Sequence, residues 1–503
     1  MNRDKVTFYK WPIKENKEFF DSVKDNLELT QPQIYTPHFS LYFDIHNTKK
    51  SHKLIDLNRR YYLQNFVSVS VVNDFCSNNF AEAKVYDSHL KCLLSKEAFC
   101  KCVPLLDPLH YTMNNYNIGV HRNPLLPSGY NHNTFYKIND IHNTAYIDLF
   151  FSFICSKLTE SNTLPSFPLY YGSVNGIKQY FKYDITEDYS HYKHKPWFTK
   201  YIGKLFTINF NIYTSDSDND SDNDSDNESV ISMKLSQDED TCSDSEKPIL
   251  NSDDSLSELS FQSDDSEQFY DDCIALIKNI PCQYFFIEKL EGTLDKLIKE
   301  NINSHLIKTC MFQVSFALCY LQKKYKFCHN DLHINNIMFQ KTEKTYLYYK
   351  FNNMYFKVPT HGYIFKIIDF GRSIFEFHNK LFMNDNFDKF GEADGQFVFD
   401  NGKPNVNYHF DLCRLAMTIL DEIDYDKDKE YEKHQPVINF LYNLTIYEDD
   451  KSFIDLQDDF QLYIDITKKA CNSLPNKVIQ NYLFEDYKIS KKKFPKKLYY
   501  SLN

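Results

Sequence analysis

The chain has 503 residues, a formal net charge of −12, 42% hydrophobic residues and 17% aromatics, with only 11 glycines. That length fits two to four compact units or one enzyme carrying insertions, and the apolar fraction is enough for a real core. No run of about 18 apolar residues occurs, and MNRDKVTFYKWPIKENKEFF lacks a signal peptide's apolar centre, so neither a membrane span nor secretion is expected.

Thirteen cysteines at irregular spacing, with no CxxC pair, read as free thiols in a reducing cytosol. Residues 1–65 show no clear pattern and read as an N-terminal extension. From Phe66 the runs FVSVSVV, KVYDSHLKCLL and AFCKCVPLL predict an antiparallel sheet. Residues 143–158, NTAYIDLFFSFICSKL, are apolar on most faces and predict a buried helix. The strand-like FPLYYGSV and CQYFFIEKL then flank residues 214–272, which hold 20 Asp and Glu against two Lys. With that −18 set aside, the whole-chain −12 becomes +6. So acidic a tract cannot bury enough apolar surface to offset its ordering entropy, and it reads as a disordered surface insertion within a domain. Its serines followed by Asp or Glu suit an acid-directed kinase, and a solvated spacer is the simpler reading.

Downstream, Asn303 or Ser304 caps a helix whose Ile307, Met311, Val314, Leu318 and Leu321 form a core-facing stripe. YLYYKFNNMYFKV predicts a hairpin turning at Asn352-Asn353, YIFKIIDFG another strand, and FDLCRLAMTILDE a helix over 410–422. The basic tail KISKKKFPKKLYY reads as solvated surface, and no nucleic-acid partner is expected.

Two segments carry chemistry. FCHNDLHINNIMF, residues 327–339, places His329, Asp331 and Asn336 in the spacing H-x-D-x-x-x-x-N. IIDFGRS, residues 367–373, follows with Asp369, Phe370 and Gly371. Together they resemble the catalytic and metal-binding loops of the protein-kinase superfamily. The resemblance implies ATP and Mg²⁺ as ligands and a protein substrate. Asp331 would accept the attacking hydroxyl's proton, and Asn336 and Asp369 would hold Mg²⁺ on the phosphates. Phe370 would pack inward and Gly371 would permit a sharp turn. AFCKCVPLLDP resembles the V-A-I-K strand, which makes Lys101 the expected α/β-phosphate ligand. Asp148, the only acid in the 143–158 helix, is its expected partner. FFIEKLEGTLDKLI reads as the hinge, with Glu288 and Leu290 facing adenine and Gly292 relaxing the chain. Asp411, in FDLCRLA, would anchor the catalytic-loop backbone.

The sequence also departs from that family. No glycine precedes Gly119, so the glycine-rich phosphate loop is absent, and NDFCSNNF is the matching turn, with asparagines able to take positive φ. Asn330 stands where the family carries Arg, which argues against control by activation-loop phosphorylation, and His333 stands at a usual Lys, beside the phosphates. No A-P-E triplet lies between Gly371 and Asp411. The pattern is closest to divergent serine/threonine kinases of giant DNA viruses, of the mimivirus type. That resemblance implies a two-lobed α+β fold, with a small antiparallel β lobe over a larger helical lobe, and a location in host cytoplasm or virion. The expected layout is an extension to 65, a first lobe over 66–213 and 273–290, the insertion at 214–272, and a second lobe over 291–503. Two other readings stand beside a protein kinase: a small-molecule kinase of the aminoglycoside or choline type, whose H-x-D-L-H-x-x-N the loop also matches, and a pseudokinase scaffold.

Overall fold

The computed structural model describes residues 13–34, 36–40, 59–117, 125–127, 134–214, 229–235, 272–300, 303–389, 391–423, 431–448, 451–457 and 460–502. Its main sheet contains β1 (Leu29–Gln33), β2 (Tyr61–Val71), β3 (Asn79–Asp87), β4 (Cys92–Pro104), β5 (Tyr170–Asp184), β6 (Phe206–Thr214), β7 (Ser229–Leu235) and β8 (Asp272–Glu288). The order is β1-β5-β8-β4-β3-β2, with β6 pairing β8 and β7 pairing β6, and every pairing is antiparallel. The run KVYDSHLKCLL is not one strand: it ends β3, turns at Ser88–Lys91 and begins β4. Residue 66 falls inside β2, and β1 adds Leu29 and Thr30 to the edge of β5, so segments before 66 build the same sheet. Apart from β7 and the ends of β6 and β8, the acidic tract lies outside the described residues.

The NDFCSNNF segment joins β2 to β3, and none of residues 72–78 has positive φ. Asn73 makes the turn instead, its Oδ1 accepting the N–H groups of Phe75 and Cys76 at 3.1 Å each. Asn78 Oδ1 accepts the Cys102 N–H at 2.8 Å, which ties this turn to β4 beside Lys101.

Helix α1 (Ile13–Leu27) precedes β1, and α2 (Pro37–Ser40) lies between β1 and β2. Helix α3 (Thr144–Glu160) is capped by Asn143, whose side chain accepts the Ala145 N–H, and is buried on nearly every face. Its first residues, Ala145 and Tyr146, join an apolar cluster with one face of the main sheet. Ile147 to Leu158 join a larger cluster with α4 (Leu294–Glu300), α5 (Ser304–Tyr325), α6 (Phe410–Glu422) and α7 (Tyr431–Thr445). A helix buried all round needs apolar residues all round, as FFSFICSKL supplies.

Behind β8, β9 (Gly292–Thr293) pairs with β10 (Ile337–Lys341), which pairs with β11 (Tyr363–Ile367). Gly292 is needed for close approach, since a Cβ there would meet the Phe339 ring at 3.1 Å. The expected hairpin forms between 346–351 and 354–359, with Asn352 at φ 52°. The molecule is thus an α+β fold of antiparallel sheets and packed helices, and no helix among the described residues is long and apolar enough to cross a membrane.

Candidate active site

Lys101 points from β4 toward α3, and its Nζ lies 2.6 Å from Asp148 Oδ2 and 2.9 Å from Asp369 Oδ1. The three residues sit 47 and 221 positions apart in sequence, so only the fold brings them together. Asp148 is 2% exposed, and its Oδ1 also accepts the Phe370 N–H at 2.9 Å and the Ser152 hydroxyl at 3.4 Å. Burial works against the charge on Lys101, but the two carboxylates outweigh it and raise its pKa. Burial raises Asp148, with Lys101 pulling the other way, while at Asp369 the pull of Lys101 prevails over desolvation and lowers the pKa. Asp369 is the open member, 42% exposed.

Asp369, and not Gly371, takes the left-handed conformation, with φ 62°. Gly371 is required for a different reason: a Cβ there would stand 3.2 Å from the Thr144 methyl at the start of α3. Phe370 is fully buried and packs on Phe151 of α3 and Phe327 of the preceding loop, with centroids 5.1 and 6.1 Å away. The motif therefore locks α3 to the catalytic-type loop through an apolar contact and a hydrogen bond to Asp148.

That loop, residues 327–336, hangs on one buried carboxylate. Asp411, in the first turn of α6, accepts the N–H groups of His329 at 2.9 Å and Asn330 at 3.0 Å, and the Cys328 thiol at 3.4 Å. Burial raises its pKa and the His329 side chain opposes that rise. The His329 ring binds the Ile368 carbonyl through Nε2 at 2.9 Å, which makes it a brace between the two motifs. Asn330 sits at φ 62°, a conformation asparagine tolerates better than most residues, and its Nδ2 donates to the Arg372 carbonyl at 3.1 Å. Asn336 Nδ2 donates to the Asp331 carbonyl at 2.8 Å, which fixes the amide and leaves Oδ1 as its free oxygen donor. Asn336 and Asp369 offer hard oxygen atoms, and no group of three or more His, Cys, Asp or Glu suited to a metal occurs among the described residues. A pair of oxygen donors completed by phosphates fits Mg²⁺, which is rarely held by an all-protein cage.

His333 turns back on its own loop, with Nδ1 3.3 Å from the Asn335 N–H and Nε2 3.0 Å from Asn336 Nδ2. Burial holds it below the ordinary imidazole range, and Asp331 partly opposes this. Glu288 lies at the end of β8, paired with Ala98 three positions from Lys101, and its carboxylate is 2.5 Å from Lys366 on β11. Its N–H donates to the Leu169 carbonyl at 2.8 Å. The Glu288 side chain and amide are thus committed to the core, and Leu290 is buried beyond it. On the Lys101 face of the sheet a cavity of about 430 Å³ opens between β2, β3, β4 and Lys289, lined by Ser68, Ser70, Phe80, Glu82 and Glu97. Lys289 pairs with Glu97 at 2.8 Å and lies 4.9 Å over the Phe80 ring.

Three residues near Asp331 carried no signal in the sequence motifs. The Tyr463 hydroxyl, on α8 (Phe460–Lys469), donates to Asp331 Oδ1 at 3.3 Å from 132 positions away. Arg372 Nη1 is 4.0 Å from the same oxygen, and the guanidinium groups of Arg372 and Arg414 lie 5.6 and 5.3 Å from the Tyr463 ring centre.

The comparisons agree in kind. An uncharacterized protein of Invertebrate iridescent virus 6 is 28% identical over 205 residues, 35% of this chain and 32% of that protein. A "Putative serine/threonine-protein kinase" of Acanthamoeba polyphaga mimivirus is 29% identical over 145 residues, 26% of this chain and 33% of that protein. A "Probable serine/threonine-protein kinase" of Dictyostelium discoideum is 33% identical over 108 residues, 19% of this chain and 9% of that protein. The chain spans about a third or less of the length of these relatives. No family model matches. These distant, partial matches support a kinase-like relationship.

Proposed function

We propose that the chain is a two-lobed protein kinase that transfers the γ-phosphoryl group of ATP to serine or threonine hydroxyls of a protein, with Mg²⁺ held by Asn336 and Asp369. The observation that carries this reading is the Lys101–Asp148–Asp369 ion triad, 2.6 and 2.9 Å across, beside a loop that offers Asp331 and Asn336. Phosphoryl transfer asks a protein mainly to position groups and to neutralise charge. Lys101 would meet the α/β-phosphates, and its two carboxylates keep it protonated and aimed. Bound Mg²⁺ supplies charge neutralisation on the phosphates. Asp331, 24% exposed, would take the proton of an incoming hydroxyl, and Asp411 holds its loop in position. The main sheet with α3 forms the first lobe of this reading, and α4 to α8 the second. The cavity beside Lys289 would take the nucleoside, with hinge contacts limited to carbonyl groups near Glu288 and to Leu290.

The test is incubation with γ-³²P-ATP, Mg²⁺ and mixed protein acceptors, followed by phosphoamino-acid analysis. Label on serine or threonine supports the proposal. Label confined to aminoglycoside or choline acceptors contradicts the protein-substrate part, and absence of all transfer by folded protein contradicts the whole.

A further inference from the structure

We propose that Arg372 supplies the positive charge that the catalytic-type loop itself lacks, and that it hydrogen-bonds the γ-phosphoryl group during transfer. This rests on the phosphotransfer reading above. A phosphoryl group in flight spreads negative charge over its equatorial oxygens, and fixed cations aimed at those oxygens contribute much of the catalysis. The cations that the motifs provide are poorly placed for that task. Lys101 is held between Asp148 and Asp369. The position two residues after Asp331 carries His333, whose ring nitrogens face Asn335 and Asn336 in their own loop.

Arg372 fills the gap geometrically. It follows the D-F-G motif directly, so it moves with Asp369, and its carbonyl is tied to the Asp331 loop through Asn330 Nδ2 at 3.1 Å. Its Nη1 lies 4.0 Å from Asp331 Oδ1, too long for a hydrogen bond, so that contact leaves its donors to other acceptors. The side chain is 29% exposed, and its guanidinium lies over the Tyr463 ring, 5.6 Å from the ring centre. That ring gives a flat seat to a guanidinium and limits its rotamers. The Tyr463 hydroxyl in turn holds Asp331 at 3.3 Å, so base and cation share one support. In the step itself, the acceptor oxygen forms a bond to the γ-phosphorus as its proton passes to Asp331. The bond from the γ-phosphorus to the bridging oxygen breaks, and ADP leaves with that electron pair. Arg372 donates to a non-bridging oxygen throughout and exchanges no proton.

The experiment compares the full-length wild type with Arg372→Gln, Arg372→Lys and Asp331→Asn. Circular dichroism and thermal midpoints confirm folding. Initial rates at varied ATP and acceptor are joined by calorimetric binding of Mg·ADP with and without aluminium fluoride, a mimic of the transferring phosphoryl group. Arg372→Gln is expected to lower kcat by about 100-fold, with both KM values within about threefold. It should bind Mg·ADP normally and lose most of the added affinity given by aluminium fluoride. Arg372→Lys should recover part of both. A kcat within about twofold of wild type, or a defect confined to the acceptor KM, overturns the proposal while leaving the kinase reading intact. If Asp331→Asn and the wild type are equally inactive, the kinase reading fails and this inference with it.

Discussion

The buried pair Lys101–Asp148 gives the sharpest structural prediction. Lys101→Met leaves the 2%-exposed Asp148 carboxylate facing Asp369 with no cation between them, a loss of about 3–5 kcal/mol. Asp148→Leu is cheaper in charge, because Lys101 keeps Asp369, but it removes the acceptor of the Phe370 N–H at 2.9 Å, for about 3 kcal/mol. In the double variant neither buried charge is stranded, and only the orphaned N–H and packing defects remain, about 2–3 kcal/mol. The two single losses together therefore exceed the double loss by about 3–6 kcal/mol. Urea unfolding followed by circular dichroism for the four proteins of the cycle measures that coupling directly. Losses that add to within about 0.5 kcal/mol would mean that the pair is not formed in solution, and the placement of α3 against β4 would be wrong.

Three further outcomes follow from the same contacts. Asp411→Ala should cost about 3 kcal/mol, because two buried N–H groups lose their acceptor, and Asp411→Asn about half as much, both read as urea midpoints. Gly371→Ala should cost about 1–2 kcal/mol by crowding the Thr144 methyl, and Thr144→Ser in the same chain should recover part of it. His38, fully buried on the Phe150 ring at 4.7 Å, has its pKa lowered to about 3, first by burial and then by His142. It is neutral when folded, so the unfolded chain binds the extra proton below about pH 6.5 and stability falls as pH drops from there toward 3. Between pH 6.5 and 5 the loss should be about 2 kcal/mol, and His38→Phe should flatten that part of the profile measured by urea unfolding.

Local pattern made part of this legible from sequence. The Asn303-capped helix, the Asn352-Asn353 hairpin and the 410–422 helix follow from capping, turn chemistry and apolar period, which act over a few residues. Lys101 and Asp148, read from sequence as partners, lie 2.6 Å apart, and Asp369 joins them at 2.9 Å from the same ammonium. Long-range pairings were not legible. β1 reaches the edge of β5 because Leu29 packs where Gly176 has no side chain, at 3.2 Å from its would-be Cβ, and nothing local marks TQPQ as a strand. Glu288 meets Lys366 from 78 positions away, which spends on the core a side chain that reads as a hinge acid. Tyr463 reaches Asp331 from a helix with no motif of its own. Asparagine chemistry also replaced the glycines: Asn73 closes the β2–β3 turn through its side chain, with ordinary backbone angles.

In the reading proposed above, Asp331 sits at a phosphoryl-transfer site organised by Lys101 and Asp369. The most direct measurement is the rate of γ-³²P transfer from Mg·ATP to a protein acceptor by wild type and Asp331→Asn, each shown to be folded by its thermal midpoint. Transfer by the wild type is expected, with a fall of at least about 100-fold in the variant and Mg·ATP binding retained. Equal rates in the two proteins, or none in either, would contradict it.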